Sequence, residues 1–212
     1  MMNFPNKNVT DNHAMILNGT GQVTAMPDIA VIRLGVQTNG EDLAVVQQEN
    51  AQLSQAVLAA IESMGITDIK TYQYTINKVY EYQDGKQIDK GYTVRNIFEI
   101  RTSNLEQVGE LIDVSVEAGA NVVDLIDFEV SDTNAYYNEA LNNALDNAFE
   151  KARSITANIG VLLNPVPTKI TENTITPIPF RNLSMREAAY ATPIEAGTKQ
   201  IEASVVVEFS YE

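Results

Sequence analysis

Chemistry in this chain would have to come from carboxylates, tyrosines and hydroxyls, because the usual nucleophiles and soft metal ligands are almost missing. Its 212 residues include no cysteine and a single histidine, His13, in a polar leader with asparagine at 3, 6, 8 and 12. Thiolate catalysis, disulfides and zinc sites built from cysteine or histidine are removed by count alone. A Ser-His-Asp triad would have to draw its base from the end of the chain, and His13 reads as a solvent-exposed residue. Gly19-Thr20-Gly21 has the look of a phosphate loop, but it lies inside a strand pattern. It also lacks a third glycine and a following Lys-Ser/Thr pair. Asp124, Asp127 and Glu129 are the carboxylates best spaced for acid–base work or for a hard cation. Alternation places Asp127 and Glu129 on one strand face and Asp124 on the other, the pattern of a strand whose opposite side is apolar. No catalytic, cofactor-binding or metal-binding residue is assigned from the sequence.

Binding surfaces are better represented. Tyr72, Tyr74, Tyr80 and Tyr82 fall on alternate positions of one strand-like run, and Tyr92 faces them across a turn at Asp84-Gly85. The row reads as a subunit interface or as plain half-buried sheet, which favours tyrosine anyway. A second candidate is the stretch 173–197, which has no clear period and holds Pro177, Pro179 and Pro193. Ile178, Phe180, Leu183 and Tyr190 stud it with apolar groups that a solvated linker would not favour. It reads as an arm lying across a neighbouring subunit, or as a long loop packed on its own domain.

The elements that must position these residues follow from periodicity. Strands are expected at 16–25 and 29–38, then a helix over 41–64, then a hairpin of 68–82 with 91–102. A short helix opens at a Ser103/Glu106 capping box and ends at Gly119. A strand over 121–131 follows, then the longest helix, 132–160. In that helix Ala140, Ala144, Ala148 and Ala152 form one stripe, with Asp132 or Thr133 as cap and Gly160 as stop. At 1.5 Å per residue it would be about 40 Å long, more than one small sheet covers, so part of it is expected to meet a second subunit. A strand from 164 to 172 and a strictly alternating one over 199–211 complete the chain. Hairpins mixed with helices give an α+β class with largely antiparallel sheet. The expected organisation is a flexible leader at 1–14 and one domain over 15–212.

Composition sets the outer bounds. With 44% apolar and 20% charged residues the chain is that of a soluble globular protein. The net charge of −14 is uneven: residues 101–150 hold eleven acids against Arg101 alone. Such a field repels phosphate backbones, so nucleic acid is excluded as an expected partner. No stretch reaches the length of a membrane helix. The first fifteen residues carry no apolar run of signal-peptide length, so the chain as written is expected in the cytoplasm.

Several stretches, in order, resemble the SIMPL-domain family: GTGQVTAMPDIAVIRLGV at 19–36, GITDIKTYQYTINKVYEY at 65–82 and GYTVRN at 91–96. AGAN at 118–121, ALDNAFEKAR at 144–153 and ATPIEAGTKQIEASVVVEF at 191–209 complete the match. Gly19, Gly21, Pro27, Asp28, Gly65, Gly91, Tyr92, Gly119 and Asn121 fall on its motif positions. That family includes bacterial periplasmic immunogenic proteins, oxidative-stress defence proteins and a eukaryotic kinase-associated adaptor. The resemblance implies an α+β domain that forms homo-oligomers, with no established catalytic residues or cofactors. It also implies a stress-protective or scaffolding role, with self or a second protein as partner and a periplasmic or cell-surface location in relatives. The alternative is a small-ligand binder or carboxylate-dependent enzyme in which Asp124, Asp127 or Glu129 converge with Tyr72 or Tyr74.

Overall fold

The computed structural model describes residues 13–173 and 192–212. Its strands are β1 (His13–Ala25), β2 (Ile29–Gly40), β3 (Ile69–Gln83), β4 (Lys86–Thr102), β5 (Val122–Glu129), β6 (Lys169–Asn173) and β7 (Lys199–Tyr211). The helices are α1 (Leu43–Ser63), α2 (Val108–Glu117), entered through a 3₁₀ turn at Leu105–Gln107, and α3 (Thr133–Ile159). All strand pairs among the described residues are antiparallel, and the class is α+β as expected. The chain divides into two compact units: β1, α3, β6 and β7 form one, and β2 to β5 with α1 and α2 form the other.

In the first unit the strands run in the order β1-β7-β6, and α3 packs on one face. The alternation of β7 buries Ile201, Ala203, Val205, Val207 and Phe209. Ala140, Ala144, Ala148 and Ala152 are completely buried along the helix. Phe149 meets Phe209 edge to face, with ring centroids 5.0 Å apart. The alanine stripe has its counterpart in Gly19 and Gly21. A Cβ on Gly19 would lie 2.0 Å from the Ala144 carbonyl oxygen, and one on Gly21 would lie 2.2 Å from that of Ala140. Only a strand without side chains there lets the helix backbone come so close.

The same helix covers the open edge of β1. Asn147 Oδ1 accepts from the Thr20 N–H at 3.3 Å, and Lys151 Nζ donates to the Asn18 carbonyl at 2.8 Å. Asn143 Nδ2 reaches the Gln22 carbonyl at 3.5 Å. Four-residue spacing on the helix thus matches two-residue spacing on the strand, and side chains replace the missing neighbour strand. Asp132 is the N-cap, accepting from Ala135 N–H at 2.9 Å, and Gly160 ends the helix at φ 76°. The expectation that α3 outruns its sheet is corrected. β1 and β7 have 13 residues each, roughly 43 Å of strand at 3.3 Å per residue. Ile155 and Ile159 near its end nevertheless stay exposed.

In the second unit the order is β3-β4-β2-β5. Ala30, Ile32, Leu34 and Val36 of β2 join Phe98 and Ile100 of β4 under α1 and α2, around Val57, Ile61, Val108 and Leu111. Asp42 caps α1, accepting from Ala44 N–H at 2.8 Å. Two polar residues sit on the buried face of α1. Asn50 Nδ2 donates to the carbonyls of Val36 and Val94, both at 3.1 Å, which ties β2 to β4 through the helix. Ser54 Oγ bridges Asn50 and Asn96. The Ser103/Glu106 capping box does not form. The 3₁₀ turn intervenes before α2, no side chain caps it, and the Asn104 N–H donates to Thr102 Oγ1 instead.

Both described ends of the stretch 173–197 are tied down. Asn173 belongs to β6. Thr192 Oγ1 donates to Asp113 at 2.7 Å, and Ile194 and Ala196 pack against the core of the second unit. Residues 174–191 between them lie outside the described residues, as do residues 1–12.

Candidate interaction surface

The β3–β4 hairpin turns at Asp84-Gly85, where φ is 50° and 76°. Both central residues are left-handed, as a two-residue turn matched to strand twist requires. β4 is longer than expected. β2 pairs with it only from Tyr92 onward, so the hairpin tip is a two-stranded arm exposed on both faces. Across the arm Lys78 pairs with Asp89 at 2.6 Å and Lys90 with Glu81 at 2.8 Å. The hydrogen bond from Lys78 lowers the pKa of Asp89, and Lys78 is raised in return. Glu81 is lowered by the hydrogen bond from Lys90.

The expected single row of tyrosines is broken. Register shifts fall between Thr71 and Gln73 and between Lys78 and Tyr80. The first leaves Tyr72 as a bulge residue of β3, and the second is a bulge of β4, where Lys90 and Gly91 stand against Val79. Tyr72 is thereby turned to the face away from the helices, where its ring lies 3.8 Å from the Arg33 guanidinium carbon. Tyr74 stands opposite Asn96, on the helix side of the sheet. Tyr80 and Tyr92 share Lys78, whose Nζ lies 5.5 and 5.7 Å from their ring centroids. Tyr82 is the most exposed of the five, and its hydroxyl reaches Gln87 at 3.4 Å. Ile178, Phe180, Leu183 and Tyr190 lie outside the described residues.

The carboxylates are distributed by the same logic. A register shift in β5 leaves Asp124 as a bulge residue. Asp124 therefore bonds Arg95 on the face that also carries Glu129, and does not point to the opposite side. Glu129 is held by Arg101 at 2.7 Å. Asp127 accepts from the Phe128 N–H at 2.8 Å. Glu99, which sequence reading passed over, is buried on this face between Arg33 at 2.7 Å and Lys70 at 2.8 Å. The hydrogen bonds from Lys70 and then Arg33 lower its pKa, against the opposing effect of burial. A salt-bridge ladder thus runs across the sheet, with Tyr72 stacked at its Arg33 rung. Among the described residues no three of His, Cys, Asp or Glu gather as a metal site would require.

Two motif residues have structural partners. Asp28 accepts from the hydroxyl and the N–H of Ser131, which lowers its pKa. Asn121 bonds both the N–H and the carbonyl of Gln37, each at 2.8 Å. Strand-end side chains of this kind clip the backbone to an adjacent segment.

A family model described as SIMPL, a protein of unknown function (DUF541), matches residues 15–209. The 26 kDa periplasmic immunogenic protein of Brucella melitensis is 29% identical over 218 residues, covering 96% of this chain and 87% of that protein. The uncharacterized protein YggE of Escherichia coli K12 is 28% identical over 158 residues, 74% of this chain and 64% of that protein. No helix among the described residues is long and apolar enough to cross a membrane.

Proposed function

The chain belongs to the SIMPL family, and from that premise we propose that it is a non-enzymatic, self-assembling protein that serves stress protection or scaffolding. The observation that carries this reading is the β3–β4 hairpin, which presents Tyr74, Ile76, Tyr80 and Tyr82 to solvent. Tyrosine and isoleucine beside paired charges are the makings of a protein-binding surface. Light scattering on the purified chain at micromolar concentration is the test. A species of several subunits is expected, and a strict monomer overturns the self-assembly.

A ligand-binding or enzymatic reading would need Asp124, Asp127 or Glu129 free to converge with Tyr72 or Tyr74. Arg95 and Arg101 hold two of these carboxylates, and Tyr72 is engaged by Arg33. These pairings favour a structural role for the ladder. The compartment belongs to the same proposal. The name of the Brucella relative favours the periplasm, and cell fractionation checks it, with recovery in the cytosol restoring the reading from sequence.

A further inference from the structure

We infer that the β3 edge is a strand-docking site for the β3 edge of a second copy, paired antiparallel with Thr75 opposite itself. The inference rests on the self-assembly proposed above and names the surface that makes it.

The described sheet edges are treated unequally. β1 is closed by Asn143, Asn147 and Lys151. β6 is five residues long. β5 is broken by its bulge and carries Asp124, Asp127 and Glu129, and charge and irregularity are what keep strand edges from pairing. β3 has 15 residues, exposed over nearly its whole length. Its own bulge at Tyr72 and the β4 bulge opposite Val79 stand on either side of a regular stretch, Gln73–Lys78, which is left open.

That stretch complements itself. A two-fold axis joining antiparallel strands edge to edge runs perpendicular to the sheet, so opposed residues share a face. With the axis at Thr75, Tyr74 meets Ile76 of the second copy and Ile76 meets its Tyr74. On the other face Thr75 meets Thr75, and Gln73 meets Asn77. Aromatic against β-branched and threonine against threonine are favourable cross-strand pairs, and no charge is placed against its like. Tyr74 and Ile76 are 47% and 40% exposed, so each has apolar surface to bury. Charge points the same way. Residues 69–102 hold six of the 14 Lys and Arg against four acids, in a chain of net −14. Among approaches of like surface to like, this hairpin sets a net of only +2 against itself, where residues 101–150 would set −10 against −10.

The chain has no cysteine, so Thr75→Cys gives a single thiol for mild oxidation of the full chain. The expected result is a covalent dimer from Thr75→Cys and none from Val79→Cys. Independently, Tyr74→Lys/Ile76→Lys sets like charges opposite each other and should halve the mass seen by light scattering. Tyr74→Lys/Ile76→Glu sets opposite charges together and should restore it. A wild-type oligomer with no Thr75→Cys cross-link and a mass indifferent to both charge variants overturns the β3 pairing while leaving self-assembly in place. A monomeric wild type overturns both.

Discussion

Glu99 stands on a strand between Arg33 and Lys70 with its side chain only 7% exposed, so little solvent screens it. Its pKa in the fold lies below the ordinary value of 4.5. A carboxylate lowered by folding stabilises the fold above its unfolded pKa, and that stability is lost as pH falls through the folded value. Urea unfolding followed against pH should show Glu99→Gln less stable at neutral pH by about 1–3 kcal/mol. The gap from wild type should begin to narrow as pH falls below the ordinary value of 4.5, and should close only once the lowered carboxyl of the folded state is itself protonated. Gly19 makes a different demand, for space. Gly19→Ala drives a methyl into the Ala144 carbonyl, and should cost on the order of 3 kcal/mol as β1 or α3 is pushed aside. Thermal unfolding measures this, and a variant as stable as wild type would mean that the close approach is not maintained in solution.

At the scale of elements, a polar stripe does the work of a strand. Replacing Asn143, Asn147 and Lys151 together by alanine keeps helix propensity but uncovers the β1 edge. Concentration-dependent aggregation is expected, seen as turbidity or thioflavin fluorescence, from a variant whose helix content by circular dichroism is unchanged. A triple variant that stays dispersed would show the edge to be harmless. This stripe was hard to read in the sequence, because polar residues at every fourth position of a helix look solvated until it is known which edge they overhang. The alanine row and the alternation of β7 were legible, since burial on one face imposes a period that residue type reports directly. The bulges at Tyr72 and Asp124 were not. A bulge residue needs no special side chain, yet it reverses the face of its position and so misplaced the tyrosine row and Asp124. Ser103 and Glu106 had the right spacing for a capping box, and the 3₁₀ entry to α2 made it unnecessary.

For the whole molecule, charge is the dominant long-range property. With a sequence pI near 4.4, solubility should pass through a minimum close to that pH and recover on either side. Nephelometry across a pH series checks it, and a minimum above pH 6 would be inconsistent with the acidic surface. The pairing of β1 with β7, from His13↔Tyr211 to Ala25↔Lys199, joins the two extremes of the described chain. It therefore governs the order in which the protein can be made. All four strands and both helices of the second unit have been made by Ser131, whereas β1 must wait about 170 residues for its partner. At ribosomal rates that delay is roughly 10–30 s. A long apolar-alternating strand is thus held without its neighbour until the last segment emerges, and it is in that interval that chaperones would find their client.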